Sequence, residues 1–453
     1  MKFQSIKGVR DILPPETALW NRVEQTARSV FGAYGFGEIR LPIFEQTELF
    51  ARSIGADTDV VAKEMYSFLD RDSESITLRP EATASAVRAY IEHGMQTLPG
   101  NVKLYYMGPM FRRERPQKGR YRQFYQIGAE VLGNSDAPAI DAEVIEMLLA
   151  FFGKLGLQGA TLHVNSIGCR ECRPRYLELL RNELRNVIDK LGADSQRRVE
   201  TNPLRVLDSK SPEEQAIIEK LPRIADHLCE SCRVHFAKLQ EELKLRGIGY
   251  EISWRLVRGL DYYTRTTFEI VATGLGSQNA VCGGGRYDGL VELLGGPAAK
   301  GIGFAIGTDR LILSLQENAA AQATATAGAG TSAVATTNGL KPIGNVDVFV
   351  AWMGETAYAP SVKLARRLRD EGFSVEIPPE EIKFKKSLGL ADRLGATYAL
   401  IVGGDEVASA QFTLKRLADG DQKKLSEANL VQHLKAQRVS GIANETATPQ
   451  LSR

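Results

Sequence analysis

One basic stretch decides how this chain is interpreted, and it runs from Gly108 to Gly133 as GPMFRRERPQKGRYRQFYQIGAEVLG. Between Phe111 and Phe124 it holds six cations against the single acid Glu114, in a chain whose net charge is only +2. Such a run is typical of a solvated surface, or of a strand with long basic side chains at its edges. It also suits the binding of phosphates, with aromatic rings available to stack on a base. The rest of the sequence has to distinguish these interpretations.

Length and composition describe a globular protein of two or three domains. The 453 residues exceed one ordinary core, and the contents of 43% hydrophobic and 25% charged residues are usual for a folded protein. No apolar run approaches the roughly 20 residues that span a bilayer. The amino terminus, MKFQSIKGVRDILPPE, lacks the apolar segment of an export signal. Five cysteines, an odd and low number, predict thiols in a reducing cytoplasm rather than a disulfide framework.

A low-complexity segment divides the chain. Residues 319–338 are AAAQATATAGAGTSAVATTN, without charged or aromatic side chains, and we predict a flexible linker over residues 319–342. The alternative, an alanine-rich helix, is disfavoured by the interspersed Thr and Gly residues. Strand-like and helical segments alternate over residues 343–440, which predicts a small α/β domain followed by a tail at 441–453.

The part before the linker is predicted to be an α+β domain. A helix is expected from about Ala18 to Tyr34, and another over Asp141–Gly156, which has acids at its start and Gly at its end. Residues 169–245 carry mostly polar helical patterns and interrupt the strand-like stretches ATLHVNSIG and GYEISWRLV. We therefore predict a core formed by residues 1–168 and 246–318, with a helical insertion at 169–245.

Three further stretches bring cations or glycines to the same part of the chain. TLRPEATASAVRAYIEHG places Arg79 at a predicted helix start, and RLVRGLDYYTRTTFE carries Arg255, Arg258 and Arg265 around paired tyrosines. CGGGRYDGL precedes the Gly-rich GIGFAIGTDRL, although Asp288 stands where dinucleotide-binding loops need a third Gly. Each stretch alone is more often structural. In combination they suit a polyphosphate, whose oxygens accept paired hydrogen bonds from guanidinium groups.

Together these stretches resemble the signatures of class II aminoacyl-tRNA synthetases. GPMFRRERPQKGRYRQFYQIGAEVLG is similar to the second signature, GIGFAIGTDRL to the third, and IRLPIFEQTELFARSIG, with Pro42, to the first. LVRGLDYYTRTTFE and GGGRYDGL resemble stretches that distinguish histidyl-tRNA synthetases within that class. The likeness runs from KGVRDILPPE into the carboxy-terminal domain, which is similar to the anticodon-binding domain of several such enzymes.

The resemblance implies a fold and a reaction. The expected fold is α+β: an antiparallel sheet flanked by helices, the helical insertion and a carboxy-terminal α/β anticodon-binding domain, in a homodimer formed through the first signature. The expected bacterial-type enzyme uses ATP and Mg²⁺ to convert L-histidine into histidyl-adenylate, and then transfers the histidyl group to tRNA(His). Because charge gathers on phosphoryl oxygens, this chemistry needs cations and positioning more than a strong base.

The family's site residues transfer by position. The resemblance assigns catalysis to Arg112 and Arg258, both near the α-phosphate. The ATP-binding residues are Arg112, Glu114 at the adenine edge, Phe124 stacked on the ring and Arg310 at the γ-phosphate. The histidine-binding residues are Glu81, Thr83, Gln126, Glu130, Arg258, Tyr262, Tyr263 and Tyr287. The loop expected at the tRNA acceptor end contains Arg115, Gln117, Lys118 and Arg120.

The chain departs from the family pattern at two positions. Ala82 in RPEATA stands where Gly is usual, and Thr264 in YYTRT stands where Asn is common. The first change could alter how closely the backbone approaches histidine. Neither change removes a charged partner, so we expect activity to survive.

Two CxxC pairs lie in the predicted insertion, and 56 residues separate them. The pairs, Cys169 with Cys172 and Cys229 with Cys232, match zinc ligand pairs, whose Zn–S distance is about 2.3 Å. Zinc held by four thiolates would be structural, because no coordination position stays open. Since zinc ribbons usually close shorter loops, reduced thiols without metal are an equal alternative.

Two other functions fit parts of the sequence. A catalytically inactive, synthetase-like regulatory subunit of histidine biosynthesis would have eroded signatures and no anticodon-binding domain. The presence of Arg112, Arg258, Arg310 and the carboxy-terminal domain argues against it. A related synthetase for glycine, proline or threonine is opposed by the paired tyrosines that follow Arg258.

Overall fold

A computed structural model of the chain describes residues 3–55, 58, 60–272, 280–326 and 346–445. The chain divides into two compact units. The larger unit comprises Met1–Asp11 and Leu19–Ser332, and the smaller unit comprises Ile12–Ala18 and Ala333–Arg453.

The described part up to residue 326 mixes helices and strands throughout. Its helices are α1 (Glu16–Ala33), α2 (Thr47–Ile54), α3 (Thr83–Glu92), α4 (Pro138–Leu155), α5 (Arg173–Arg185), α6 (Ala193–Thr201), α7 (Leu204–Leu207), α8 (Pro212–Ile218), α9 (Glu230–Leu245), α10 (Leu290–Leu293) and α11 (Thr308–Thr326). Its strands are β1 (Gly37–Glu38), β2 (Phe44–Gln46), β3 (Tyr66–Leu69), β4 (Ser75–Leu78), β5 (Val102–Phe111), β6 (Gln123–Gly133), β7 (Thr161–Ser166), β8 (Glu251–Ile252), β9 (Thr264–Val271), β10 (Ala280–Arg286) and β11 (Lys300–Gly307).

An eight-stranded sheet forms the centre of the larger unit, in the order β1-β5-β6-β11-β10-β9-β7-β8. The six inner strands pair antiparallel, and β1 and β8 join the two edges in parallel. Helices α1 and α4 meet against the sheet at Phe31, whose ring lies 5.6 Å from Tyr105 of β5 and 5.5 Å from Phe151 of α4. The predicted antiparallel sheet flanked by helices is confirmed.

Strand β6 carries the second half of the basic stretch and is buried at every position from Ile127 to Gly133. Because side chains alternate along a strand, Gln126 and Glu130 point to the same face of the sheet. Gly303 of β11 pairs with Glu130, and a Cβ at this glycine would overlap its carboxylate. The Gly-rich run therefore makes room for polar side chains on this face, which is a structural reason for GIGFAIG.

The described residues between β7 and β8 are helical from α5 to α9, with short 3-10 turns at Ile188–Lys190 and Ile224–His227. Leu180 and Leu184 of α5 are fully buried in a core with Val199 of α6 and Ile218 of α8. The sequence predicted mostly helical structure for residues 169–245, and these elements agree with it. Strands β7 and β8 pair directly, so the helices are inserted between neighbouring strands.

The smaller unit contains the remaining described elements. They are β12 (Val348–Trp352), α12 (Glu355–Asp370), β13 (Val375–Glu376), α13 (Phe384–Arg393), β14 (Tyr398–Val402), α14 (Gly404–Ser409), β15 (Phe412–Arg416), β16 (Gln422–Leu425) and α15 (Glu427–Glu445). The sheet order is β13-β12-β14-β15-β16, with β12 buried at every position. Its core includes Leu364 of α12 and Leu430 of α15. The predicted small α/β structure is confirmed.

The structure differs from the prediction at the ends of two helices. Helix α11 runs to Thr326, so the beginning of the segment interpreted as a linker is helical. The strong helix propensity of its alanines outweighs the weaker propensity of the threonines. The rest of that segment, residues 327–342, lies outside the described residues. Helix α15 similarly passes the predicted boundary at 440 and ends at Glu445, and residues 446–453 are also outside the description.

Candidate active site

A cavity of about 290 Å³ in the larger unit brings together segments that are far apart in the sequence. It is lined by residues of β6, β10 and β11, by the first turns of α3 and α11, and by the loop that precedes β9. The predicted site residues that line it are Glu81, Thr83, Arg112, Glu114, Arg120, Phe124, Gln126, Arg258, Tyr262, Tyr263 and Arg310.

A second cavity, of about 540 Å³, shares part of this lining and extends toward the helical insertion. Arg112, Arg258 and Arg310 line both cavities. The insertion adds further polar and charged side chains, mostly basic, which are Arg197, Arg198, Thr201, Asn202, Arg205, Asp208 and Lys210. The two cavities together form a cationic surface that suits an extended phosphate-bearing ligand.

Arg112, at the end of β5, is held in place from two sides. Its Nε donates to the carbonyl of Pro80 at 2.9 Å, and its guanidinium lies 5.3 Å from the ring centroid of Phe124. Glu114 lies 3.8 Å from Arg112 and also pairs with Arg120. The basic stretch thus places an aromatic ring, two guanidinium groups and one carboxylate along one wall of the cavity.

Arg258 approaches the sheet from the loop before β9. Its Nη1 donates to Glu269 at 2.9 Å, and its guanidinium lies 5.9 Å from the ring centroid of Tyr263. Among the described residues, its buried Nε has no hydrogen-bond partner. A Cβ at Gly283 of β10 would lie 2.0 Å from this guanidinium, so the position requires glycine. The first glycine of the triplet therefore allows the Arg258 side chain to approach the backbone of β10 closely.

Arg310 enters the cavity from the first turn of α11. Its Nη1 donates to the carbonyl of Ala280 at 3.0 Å, and its Nε donates to the carbonyl of Gly119 at 3.4 Å. Burial lowers the pKa of this guanidinium, and neighbouring Arg120 adds to that effect. Arg310 thereby connects the third signature to the turn of the basic stretch.

Glu81 lies at the start of α3 and accepts hydrogen bonds from the N–H groups of Thr83 and Ala84, at 2.7 and 3.0 Å. Burial raises the pKa of this carboxyl, although the two N–H groups oppose the shift. Gln126 lines the same cavity, and its Oε1 is buried without a hydrogen-bond partner among the described residues. The cavity therefore contains a buried acceptor that the described residues leave unpaired.

Glu130 and Tyr287 lie behind the described cavity lining. The Glu130 carboxylate accepts hydrogen bonds from the hydroxyls of Thr83 at 2.7 Å, Tyr287 at 2.6 Å and Tyr106 at 3.3 Å. Burial raises the pKa of Glu130 to about 8, against the effect of the hydroxyls. Thr83 and Tyr106 line the cavity, so the hydrogen bonds from their hydroxyls link Glu130 to it.

The residues predicted for the tRNA loop divide into two groups. Arg115, Gln117 and Lys118 are exposed, and Lys118 pairs with Glu317 at 2.9 Å. Arg120 instead turns toward Glu114 and lines both cavities. The backbone closes into a tight turn between Gln117 and Arg120, which accounts for this difference in direction.

Several arginines from the same motifs bind other residues of the fold and do not line the cavity. Arg79 is buried and donates to the carbonyls of Leu41, Pro42 and Pro109. Arg255 donates to the carbonyl of Leu207, and Arg265 pairs with Asp136 at 2.6 Å. Of the three arginines around the paired tyrosines, only Arg258 lines the described cavities.

Several residues of the cavity lining were not predicted from the sequence. Glu269 lines both cavities, and it lies in β9, whose sequence TRTTFEIV also contains Arg265 and three threonines. Tyr106 lies within an ordinary strand pattern, and the basic residues of α6 resemble a solvated helix face. These residues had no sequence signal that distinguished them from structural ones.

The two departures from the family pattern both lie at buried positions. Ala82 is fully buried and has φ −117°, a conformation that alanine adopts without strain. Thr264 is buried at the start of β9, and its hydroxyl has no hydrogen-bond partner among the described residues. The backbone at Ala82 therefore does not require glycine.

The four cysteines of the CxxC pairs come together in the insertion. Their sulfur atoms all lie within 4.8 Å of one another, and all five cysteines of the chain are free thiols. The Sγ–Sγ distances are 3.8 Å for Cys169–Cys172, 3.7 Å for Cys169–Cys229 and 3.8 Å for Cys172–Cys232. We call this group the four-cysteine cluster. Burial opposes ionisation of Cys169, but nearby backbone N–H groups lower its pKa to about 7.

Comparison with known proteins agrees with this geometry. The family model described as histidyl-tRNA synthetase matches residues 8–311, and the one described as anticodon binding domain matches residues 347–437. A histidine–tRNA ligase from Solibacter usitatus (strain Ellin6076) is 51% identical over 435 residues, which is 96% of this chain and 99% of the relative. A histidine–tRNA ligase from Koribacter versatilis (strain Ellin345) is 50% identical over 457 residues, covering 99% of each chain.

Solved structures give the same result. The crystal structure of apo S. aureus histidyl-tRNA synthetase matches with a TM-score of 0.76 and 35% identity, over 96% of this chain and 100% of that one. The sheet, the arginine-lined cavity and the anticodon-binding domain define a class II aminoacyl-tRNA synthetase, an enzyme that charges tRNA at the expense of ATP. Within that class, the chain belongs to the histidyl-tRNA synthetase family.

No helix among the described residues is both long enough and apolar enough to cross a membrane.

Proposed function

We propose that this chain activates L-histidine with ATP to histidyl-adenylate and transfers the histidyl group to tRNA(His). The observation that carries the proposal is one cavity lined by Arg112, Arg258 and Arg310 together with the acceptor groups of Glu81 and Gln126. Cations and acceptors for an ammonium group in the same cavity suit a nucleotide phosphate next to an amino acid.

At the ATP end, Arg112 and Arg258 act on the α-phosphate, where negative charge develops as the histidine carboxylate attacks. Arg310 holds the γ-phosphate, and Glu114 accepts a hydrogen bond from the adenine amino group. Phe124 offers its ring to the base, and Arg112 already lies over that ring. Cations fixed by backbone carbonyls and a carboxylate need little rearrangement during the reaction, and such preorganisation is the source of their catalytic effect.

Mg²⁺ fits the same end of the cavity. Glu269 offers a carboxylate beside Arg258, and Mg²⁺ is commonly bound by one or two carboxylates together with substrate phosphates. When bound, the ion would neutralise phosphate charge and support departure of pyrophosphate.

At the histidine end, Glu81 and Gln126 bind the amino group, and Thr83 contributes its hydroxyl. Tyr262 and Tyr263 face the imidazole, whose two nitrogens each need a partner. Glu130 and Tyr287 support this pocket from behind through the hydroxyl network around Thr83 and Tyr106. An amino acid without matching polar groups would leave these residues unpaired, which is a strong basis for selectivity.

The acceptor end of tRNA binds the exposed turn formed by Arg115, Gln117 and Lys118, with Arg120 at the entrance to the cavity. The basic residues of the insertion continue this surface through the second cavity. The anticodon-binding domain supplies the second contact region. Because the phosphate contacts release counterions, we expect tRNA affinity to fall steeply with salt.

We further propose a homodimer that acts in the cytoplasm. Apolar side chains on β2 and β3 are exposed, among them Phe44 at 57% and Leu69 at 68%, and an interface would cover them. Reducing conditions in the cytoplasm would keep the cysteines as thiols. Sedimentation of the purified chain tests the dimer, because a monomer at micromolar concentration would contradict it.

The four-cysteine cluster is proposed as a structural zinc site. In a tetrahedron with Zn–S bonds of about 2.3 Å, neighbouring sulfurs lie about 3.8 Å apart. Three of the measured distances are 3.7 to 3.8 Å, so the sulfur positions fit the ion. We expect about one zinc per chain by elemental analysis, and its removal by a chelator should lower the thermal stability of the insertion. Protein that contains no zinc and takes none up would contradict the site.

Histidine-dependent exchange of pyrophosphate into ATP tests the main proposal. Exchange with histidine but with none of the other amino acids would support adenylate formation and its specificity, and charging of tRNA(His) is the next assay. Folded protein that shows no exchange with Mg²⁺ present would favour the regulatory subunit of histidine biosynthesis. The complete set of arginines and the anticodon-binding domain make that alternative the weaker one.

A further inference from the structure

The four-cysteine cluster and the histidine end of the cavity are connected by a short set of hydrogen bonds. Tyr262 and Tyr263 directly precede β9, which begins with Thr264 and Arg265, and we call residues 262–265 the tyrosine loop. Arg265 also pairs with Asp136, but several of the hydrogen bonds that hold this loop start or end at residues adjacent to the cysteines. These residues are Gly168, before Cys169; Arg173, after Cys172; and Ser231, between Cys229 and Cys232.

Arg173 makes the first connection. Its Nη2 donates to the carbonyl of Tyr263, and the same side chain donates to the carbonyls of Ile167 at 3.0 Å and Gly168 at 3.2 Å. One guanidinium therefore joins the loop backbone to the residues that precede the first cysteine. Burial lowers the pKa of Arg173, and the guanidinium uses its donors on carbonyl oxygens.

Arg265 makes the second and third connections. Its backbone N–H donates to the carbonyl of Gly168 at 2.8 Å, and its carbonyl accepts from the N–H of Ile167 at 2.8 Å. Its Nη2 donates to the Ser231 hydroxyl at 3.0 Å. Arg265 has φ 50°, a conformation that costs energy for a residue other than glycine. The surrounding contacts maintain this conformation, as expected where geometry at a site is fixed.

The loop determines where the two phenol rings lie. Tyr262 and Tyr263 are buried with ring centroids 4.7 Å apart, and Tyr262 lies edge-on to Tyr287 at 5.8 Å. Tyr263 also lies under the guanidinium of Arg258. Because these rings are closely packed, a shift of the loop backbone would move the tyrosines as a group relative to the cavity.

We infer that the four-cysteine cluster positions the tyrosine loop, so that metal bound to the cluster determines the affinity of the active site for histidine. Arg173 and Arg265 are the positioning residues. The inference rests on the proposed histidine activation and on the proposed zinc site. A bound ion fixes the distances between the four sulfurs, and therefore between Gly168, Arg173 and Ser231, from which the loop is held.

The first experiment compares zinc-loaded and metal-free protein, both kept reduced and without oxygen. The full chain is treated with a chelator, dialysed, and divided into samples with and without added Zn²⁺, and Mg²⁺ is restored to both for pyrophosphate exchange. We expect the KM for histidine to rise about tenfold in the metal-free protein, equivalent to ~1.4 kcal/mol, with kcat and the KM for ATP much less affected. An unchanged KM for histidine, or protein that takes up no zinc, would overturn the inference.

Hydrogen exchange supplies a readout that does not depend on activity. The N–H groups of Arg265 and Ile167 belong to the connection, so their exchange should accelerate when zinc is removed and slow again when it is restored. Unchanged exchange in this loop, together with faster exchange elsewhere in the insertion, would show that the cluster stabilises only its own helices. That result would also overturn the inference.

Variants of Arg173 separate positioning from general stability. Arg173→Met removes the connection to Tyr263, and we expect the KM for histidine to rise as it does on zinc removal, with zinc content unchanged. Arg173→Lys, which keeps one cationic donor, should recover part of the affinity. Arg181→Met is the matched control, because Arg181 lies on the same helix but contacts Val199 and Glu200 within the insertion. Equal effects of Arg173→Met and Arg181→Met would contradict a positioning role.

The two proposals can fail separately. If zinc-loaded wild-type protein shows no exchange with histidine, the proposed function fails. Zinc-dependent protection of the loop in that same protein would still support the coupling. Histidine-dependent exchange that is identical with and without zinc would sustain the proposed function and overturn the coupling.

Discussion

Two arginine–carboxylate pairs on the central sheet use the same chemistry for different purposes. Arg286, at the end of β10, is 1% exposed and pairs with Asp141, which is fully buried, and with Asp288. Arg258 pairs with Glu269 of β9, but both side chains stay about a quarter exposed, at 23% and 25%, and both line the cavity. The first pair is enclosed by protein, and the second is open to a ligand.

The difference shows how packing, rather than residue type, separates a structural charge from a functional one. Three nitrogens of Arg286 donate to carboxylates, so its hydrogen-bonding capacity is largely used within the fold. Arg258 keeps a buried Nε without a partner among the described residues, beside a glycine that gives it room. An unpaired buried donor is costly, and a ligand phosphate would remove that cost.

The largest effect is expected from breaking the enclosed pair. Arg286→Met leaves the carboxylate of Asp141 buried without its cation, and we expect the free energy of unfolding to fall by about 3 to 5 kcal/mol. Chemical denaturation of the larger unit measures this change. The double variant Arg286→Met with Asp141→Asn should recover a substantial part of the loss, because no charge is left uncompensated. A loss below about 1 kcal/mol for the single variant would show that the pair is not structurally important.

Breaking the open pair should affect activity instead. Arg258→Ala removes a cation that we propose to act on the α-phosphate, and we expect histidine-dependent pyrophosphate exchange to slow by about 10² to 10³. The free energy of unfolding should change by roughly 1 kcal/mol or less, because Glu269 can be solvated. Arg258→Lys is the conservative control and should keep part of the rate. Destabilisation as large as that of Arg286→Met would make the two pairs equivalent and refute the distinction.

Glu130 sharpens the comparison, because it is a buried carboxyl held by hydroxyls rather than by a cation. Burial raises its pKa from the ordinary 4.5 to about 8, so between these pH values the folded chain binds a proton that the unfolded chain has lost. The contribution of Glu130 to stability therefore falls as pH rises, by up to about 1.4 kcal/mol per pH unit. Denaturation of wild type and Glu130→Gln at pH 5.5 and 8 should show their difference shifting in favour of the variant at high pH. A difference that does not depend on pH would contradict the raised pKa.

The smallest effect is expected for the exposed cations of the turn. Arg115→Ala with Lys118→Ala should weaken tRNA binding and reduce the slope of log K against log salt by about 1 to 2, since each phosphate contact contributes about one. Pyrophosphate exchange without tRNA should keep its wild-type rate. Arg40→Ala, which changes a cation that is 86% exposed and pairs with Glu38, is the control. An unchanged slope in the double variant would exclude the turn from the tRNA interface.

The sequence predicted much of the fold because its local patterns agree with the final packing. The helix predicted from about Ala18 to Tyr34 is α1, and the one over Asp141–Gly156 lies within α4 and its terminal glycine. The linker prediction was wrong for residues 319–326, where alanine propensity extends α11. The composition of that segment suggested flexibility. The segment nevertheless continues a helix whose first half is amphipathic and largely buried.

The candidate site was predicted only in part. The signatures predicted Arg112, Arg258 and Arg310 as phosphate ligands, and all three line the cavity. They could not show that Arg255 and Arg265, from the same short stretch, bind within the fold instead. They also could not show that Glu130 lies behind Thr83. The Glu130 carboxylate packs against Gly303 of β11, where a Cβ would leave it no room.

Sequence alone determined the order of strands and helices, the chemical types available to the site and the family to which the motifs are similar, because these depend on local spacing and residue identity. Tertiary structure decided which arginines face the cavity. It also brought together two cysteine pairs that are separated by 56 residues, and it joined this cluster to the tyrosine loop through hydrogen bonds. Those properties depend on how distant segments pack and on which polar groups the packing leaves unpaired. Neither can be obtained from the spacing of residues along the chain.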